Sequence, residues 1–181
     1  MRKALFVLCL LFAVPSFAQQ SSNPLQLSVF ATNLGYTQST ATGSNWSGGL
    51  GAALEYRWNR QWALELQIAS EQHTSRFVRI DQNGGITADV RDVTTYPIDL
   101  LAHYRFDNAS RWQPFVGAGV RHVHSSSDQL GDQTLLEIDG GVHFMITPSL
   151  SLRLDAKHTL VDDNGHFDAG LKPSIGFGWK F

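Results

Sequence analysis

Seven stretches of this chain place an apolar residue at every second position. That period describes β-strands with two unlike faces. It excludes amphipathic helices, whose apolar stripe repeats every 3.6 residues. Leu50, Ala52, Leu54, Tyr56 and Trp58 share one parity, against Gly49, Gly51, Ala53, Glu55 and Arg57 on the other. The same alternation runs through 62–69, 96–106, 114–121, 136–146, 150–160 and 171–181. An eighth strand is expected near 25–36. There Leu25, Leu27 and Val29 lie on one parity and Phe30, Leu34 and Tyr36 on the other, which predicts a bulge.

The connections alternate as well. Short ones at 59–61, 107–113 and 147–149 are interleaved with longer polar segments at 37–47, 73–93, 125–133 and 162–168. Asn83-Gly84-Gly85 is a hairpin signal, so 73–93 is expected to hold two strands projecting past a rim. Asp163-Asn164-Gly165 marks another tip. No domain boundary interrupts 19–181.

The first residues read differently. Arg2 and Lys3 precede an eleven-residue apolar run, 4–14, and Ser16-Phe17-Ala18 follows with small residues flanking a cut after Ala18. This is the pattern of a secretory signal peptide over 1–18. The run is too short for a transmembrane helix, which needs ~20 residues. Cys9, the one cysteine, lies inside it and away from the cut, so neither lipidation, a disulfide framework nor thiol catalysis is expected. A net charge of −2 excludes a strongly basic nucleic-acid surface, and no nucleic-acid partner is expected.

Alternation alone does not say which face is outside. Four features point to apolar-out. The polar face is rich in small residues, among them Gly49, Gly51, Gly117, Gly119, Gly141, Gly176 and Gly178, which suit the tight bore of eight strands. Trp58, Trp62, Phe106, Trp112, Trp179 and Phe181 gather beside the short turns, as an interfacial girdle does. Trp46, Tyr36 and Tyr96 are candidates for a second girdle. Short turns and long loops segregate by side, as in outer-membrane barrels. The chain ends on an alternating Ile175, Phe177, Trp179, Phe181 strand, which resembles the C-terminal signal read by the barrel-insertion machinery. The expected fold is all-β: an eight-stranded antiparallel up-and-down transmembrane β-barrel. Its expected place is the outer membrane, with both termini periplasmic and lipid as its first partner. Oligomeric state is not readable, because a lipid-facing belt looks alike in monomer and trimer.

Tyr96-Pro97-Ile98-Asp99-Leu100-Leu101 with Tyr104-Arg105-Phe106, then Trp112-Gln113-Pro114-Phe115-Val116-Gly117-Ala118-Gly119-Val120, resemble consecutive strands of the outer membrane protein W family. The strand containing Gly140-Gly141-Val142, the Ser149-Leu150-Ser151-Leu152 strand and the terminal Phe181 follow in the same order. More broadly the chain resembles the small eight-stranded barrels that include the membrane domain of outer membrane protein A. The resemblance implies an outer-membrane barrel that passes small hydrophobic compounds through an apolar lumen. This chain departs from it, because its inward parity is charged.

That inward set carries both signs: Glu55, Glu65, Asp99, Glu137, Asp139 and Asp155 against Arg57, Arg105, Arg121, Arg153, Lys157 and Lys172. Charges in a narrow bore must pair. The set reads as a salt-bridge plug, or else as a gated polar path for small solutes. The expected function is structural or low-flux passage, with exposed loops as the interaction surface. The alternative is a surface-binding or defence barrel with a plugged lumen.

No catalytic residue, cofactor or metal is expected. Some barrels of this size are lipid A 3-O-deacylases, which use a His-x-Ser pair facing lipid. His158 occupies a comparable place, but Leu160 stands where the serine belongs and Thr159 points to the opposite face. His122 and His124 point the same way on one strand. A metal there would need a third ligand, such as His73 or His166, and no spaced Cys/His constellation supports one.

Overall fold

A computed structural model describes residues 24–32, 36–37, 45–80, 86–106, 110–125, 132–160 and 171–181. The signal segment 1–18 and the tips at 83–85 and 163–165 lie outside the described residues. Eight long strands follow one another: β1 (Leu25–Thr32), β2 (Asn45–Arg57), β3 (Trp62–Ile80), β4 (Ile86–Arg105), β5 (Trp112–Ser125), β6 (Gln133–Met145), β7 (Leu150–Leu160) and β8 (Leu171–Lys180). Tyr36–Thr37 pairs with Trp46 and Asn45 and continues the line of β1.

Each strand pairs antiparallel with the next, and β1 pairs with both β2 and β8, so the sheet closes. Closure leaves no edge whose N–H and C=O groups would face lipid. The register can be followed around the wall from Trp112 through Phe144, Leu152, Phe177, Val29, Ala52, Ile68 and Ile98 to His122. One circuit thus climbs ten residues along β5, from Trp112 to His122. With eight strands, that stagger tilts each strand by about 40° to the barrel axis.

The apolar parity is outside. Leu27, Val29, Leu50, Leu54, Leu66, Ile68, Ile98, Val120, Leu136 and Ile138 are all exposed, while Glu55, Glu65, Arg121 and Arg153 are buried. In water this arrangement would be inside-out; in a bilayer it is the only one that matches both solvents.

A one-residue offset of the kind a bulge makes separates Thr32↔Gly49 from Tyr36↔Trp46, and the bulge is not at Phe30, because β1 itself is regular. Its pairing with β2 runs one-to-one from Leu25↔Tyr56 to Thr32↔Gly49. Phe30 instead stays on the inward parity and is 5 % exposed. Its ring has room because Gly51 faces it: a Cβ there would stand 2.5 Å from Phe30 Cζ. The change of parity read at Leu34 and Tyr36 falls beyond Thr32, where 33–35 lies outside the described residues.

The projecting hairpin is present. β3 and β4 pair from Trp62↔Tyr104 to Ile80↔Ile86, well beyond Ser47↔His73 and Thr95↔Ser125, where their outer neighbours stop pairing. At the opposite end, single side-chain oxygens hold the short turns. Asn59 Oδ1 accepts from Gln61 N at 2.8 Å and Trp62 N at 2.7 Å. Thr147 Oγ1 accepts from Ser149 N and Leu150 N, and Ser110 Oγ from Trp112 N. Such local bonds satisfy backbone donors that the turn takes out of the ladder. Pro24 and Phe181 lie at this same end, tied by Arg57 N to Pro24 O and Phe181 N to Leu25 O.

Candidate functional site

Alternation sends every second residue of eight strands into one narrow bore, so charges distant in sequence meet there. The structure places all twelve charged residues of the inward parity in it. Arg57 and Lys172, whose side chains are 12 % and 15 % exposed, are the least covered.

Three tiers stack along the axis. Nearest the short turns, Glu55 accepts hydrogen bonds from Arg57 Nε at 2.8 Å and from Arg105 Nη2 at 2.7 and 2.5 Å. Arg57 also donates to Gln26 Oε1 at 2.6 Å, and Arg105 Nη2 lies 3.1 Å from His143 Nε2. In the middle, Arg153 donates to Glu65 Oε2 at 2.5 Å and to Asp155 Oδ2 at 2.8 Å. His103 Nε2 meets Asp139 Oδ2 at 3.0 Å. Phe115 fills the space between His103 and His143, with the Arg153 guanidinium over its ring. Towards the loops, Arg121 donates to Glu137 Oε2 at 2.8 Å and Glu71 Oε1 at 2.7 Å. Lys157 donates to Asp99 Oδ2 at 2.9 Å, and Lys172 stands 3.6 Å from Glu71.

The tiers are linked. His103 Nδ1 lies 3.6 Å from Glu55, joining the lower two. Gln67 joins the upper two, donating to Glu65 and accepting from Lys157. The bore therefore holds one continuous charge network. Glu55, Glu65, His103 and His143 are fully buried within it.

Glu71 belongs to the network and was missed in the sequence, where the alternation was followed only to Ala69. Carrying that parity one step further finds it. His103, His143, Gln26 and Gln67 were missed as partners because imidazole and amide side chains give no sign of which charge they will meet.

The glycines of the inward parity make this crowding feasible. A Cβ on Gly117 would collide with Asp139 and His103, and one on Gly141 would stand 2.6 Å from Asp155 Cβ.

Glu55, Glu65 and His103 bring one ligand atom each within 4.8 Å of one another. That donor set is already matched by Arg105, Arg153 and Asp139, and a divalent ion there would face two guanidinium groups. On the outer wall, His122 Nδ1 meets Thr134 Oγ1 at 3.0 Å and His124 Nδ1 meets Asp132 Oδ1 at 2.7 Å. The side chain of His73, and His166 altogether, lie outside the described residues. His158 faces outward beside exposed Leu160, while Thr159 is buried inside at 3 % exposure, so among the described residues of β7 no hydroxyl shares its face.

Parts of the aromatic girdle are in ring-to-ring contact. Trp58 stacks on Trp62 at 6.4 Å, Trp62 meets Tyr104 at 5.2 Å, and Tyr104 meets Phe106 at 5.3 Å. Trp112 packs on Phe144 at 4.7 Å. Trp62, Phe106, Trp112, Trp179 and Phe181 are each exposed by 42–57 %. Ile175 and Phe177 continue the outward row of β8. Tyr96 faces out on the loop side; the side chains of Tyr36 and Trp46 lie outside the described residues.

Known structures share this architecture. The N-terminal β-barrel domain of Pseudomonas aeruginosa OprF matches with a TM-score of 0.59 and 18 % identity, over 90 % of this chain and 100 % of that one. The outer membrane protein OprG of the same organism matches with 0.59 and 17 % identity, over 90 % and 97 %. Neisserial surface protein A matches with 0.59 and 19 % identity, over 90 % and 100 %. Comparison with curated proteins finds no match in sequence. The resemblance to small eight-stranded outer-membrane barrels is borne out. With residues 4–181 matching its pattern, the chain belongs to the outer membrane protein beta-barrel domain family.

Proposed function

We propose that this is a non-enzymatic outer-membrane barrel whose lumen is a charge-paired plug, and that segments beyond the loop-side rim carry its interactions. The observation that supports the plug is the packing of the lower and middle tiers: Arg153 engages Glu65 and Asp155 while Glu65, Glu55, His103 and His143 are fully buried. An eight-stranded bore has room for side chains and little else. The paired β3–β4 extension supports the second half, since it reaches past the strands that close the barrel. The buried, inward Thr159 beside outward His158 leaves that histidine without a hydroxyl on its own strand face.

In this reading residues 1–18 direct export and are removed after Ala18. The short-turn end, with Pro24 and Phe181, faces the periplasm. Lipid surrounds the girdle, and the outward row Ile175, Phe177, Trp179 and Phe181 is what the insertion machinery reads. The test is conductance and solute uptake after the barrel is folded into lipid vesicles, with folding checked by a heat-dependent gel shift. A plug gives neither conductance nor uptake. Reproducible flux that changes in Arg121→Ala or Glu137→Gln would replace it with the second reading, low-flux passage of small solutes.

A further inference from the structure

Charge is unevenly distributed along the bore. Near the short turns, Arg57 and Arg105 both bond one carboxylate, Glu55, and Lys180 stands at the same end. In the upper tiers the acids are in excess: Glu65, Glu71, Asp99, Glu137, Asp139 and Asp155 face Arg121, Arg153, Lys157 and Lys172. The surplus of cations therefore collects at the turn-side mouth, where Glu55 is already held by both arginines.

Lys180 is left over. Its Nζ donates to the Met145 thioether at 3.3 Å, and it makes no ion pair among the described residues. A thioether is a weak acceptor and brings no charge. Arg111, exposed on the neighbouring turn, has no side-chain partner among the described residues. Both line one groove of about 430 Å³ with Ser110, Gln113, Met145 and Thr147. Ile146 and Pro148 give the same groove an apolar side. Its size falls within the range of small-molecule sites.

We propose that this groove binds a phosphate-bearing anion, from a phospholipid headgroup or a soluble phosphate compound. A guanidinium and a lysine amine lining one groove supply two kinds of donor suited to phosphate oxygens. The Gln113 amide adds a neutral donor, and the apolar side accepts a glycerol or alkyl fragment. The site lies outside the buried tiers of the lumen, so it stands or falls independently of whether the barrel conducts.

The experiment uses the folded barrel in a maltoside detergent, which carries no phosphate. The Lys180 and Arg111 side-chain NMR signals are followed during titration with inorganic phosphate and, separately, with dihexanoyl phosphatidylglycerol. Dihexanoylglycerol serves as the phosphate-free control. Saturable shifts with either phosphate compound and none with the control are expected. Tighter binding of the lipid identifies a headgroup site; equal or tighter binding of inorganic phosphate identifies a soluble ligand. Lys180→Gln and Arg111→Gln should each weaken binding about tenfold. Arg60→Gln, on a turn outside the groove, should leave it unchanged. Absence of saturable shifts in both arms, or an equal loss in Arg60→Gln, would overturn the proposal.

Discussion

Glu65 Oε2 lies 2.5 Å from Arg153 Nη1, joining β3 to β7 across the bore over a sequence separation of 88 residues. Both side chains are 1 % exposed or less. Desolvating them costs several kcal/mol each, and the pair repays this only while both partners are present. Arg153→Met, which leaves Glu65 and Asp155 without their guanidinium, should destabilise the barrel by about 3–5 kcal/mol. Adding Glu65→Gln should recover part of that loss. Equilibrium urea unfolding in lipid vesicles checks both.

Phe30 and Gly51 make a second, steric pair across β1 and β2. A Cβ on Gly51 would meet the Phe30 ring at 2.5 Å and Ile68 O at 2.7 Å. Gly51→Ala should cost about 1–3 kcal/mol through overpacking. Phe30→Ala in the same chain should relieve only part of it, since the Ile68 carbonyl remains. The unfolding midpoints of the single and double variants separate the two contributions.

Lipid-facing positions should respond to charge according to depth. Leu66 lies four residues along β3 from Trp62 of the girdle, which places it about 10 Å deeper in the apolar band. Leu66→Arg should cost about 2–4 kcal/mol, and Trp179→Arg about 1 kcal/mol or less from the charge itself. Equal costs at the two sites would contradict the membrane placement.

The β3–β4 extension should be dispensable for folding. Gln72 and Thr94 are paired, and among the described side chains the ion pairs of the lumen reach no higher on β3 than Glu71. Replacing 73–93 with Asn-Gly, a two-residue turn compatible with strand twist, should leave the heat-dependent gel shift and the unfolding midpoint within error. The same deletion should abolish surface binding if that hairpin carries the interaction.

The strands, their two faces and the apolar-out sense were legible in the sequence, because parity is a local property and each run of ten or so residues displays it. So were the girdle and the charged character of the bore. The Phe30 parity misled: aromatic residues usually mark the lipid face, and only Gly51 on the next strand reveals the space that takes the ring inside. Glu71 was lost for a related reason, since the strand's continuation is supported by pairing with β2 and β4 and not by any apolar signal of its own.

Which charge meets which was decided by tertiary structure alone. Parity says that Arg121 points inward. That it reaches Glu71 on β3 and Glu137 on β6 depends on the ten-residue stagger accumulated around the closed wall. Stagger is a property of all eight registers together. A chain with the same alternation and a different closure would bring other acids to the same arginines. The sequence by itself determined the wall and the polarity of its faces; the closure of the barrel decided the partners within it.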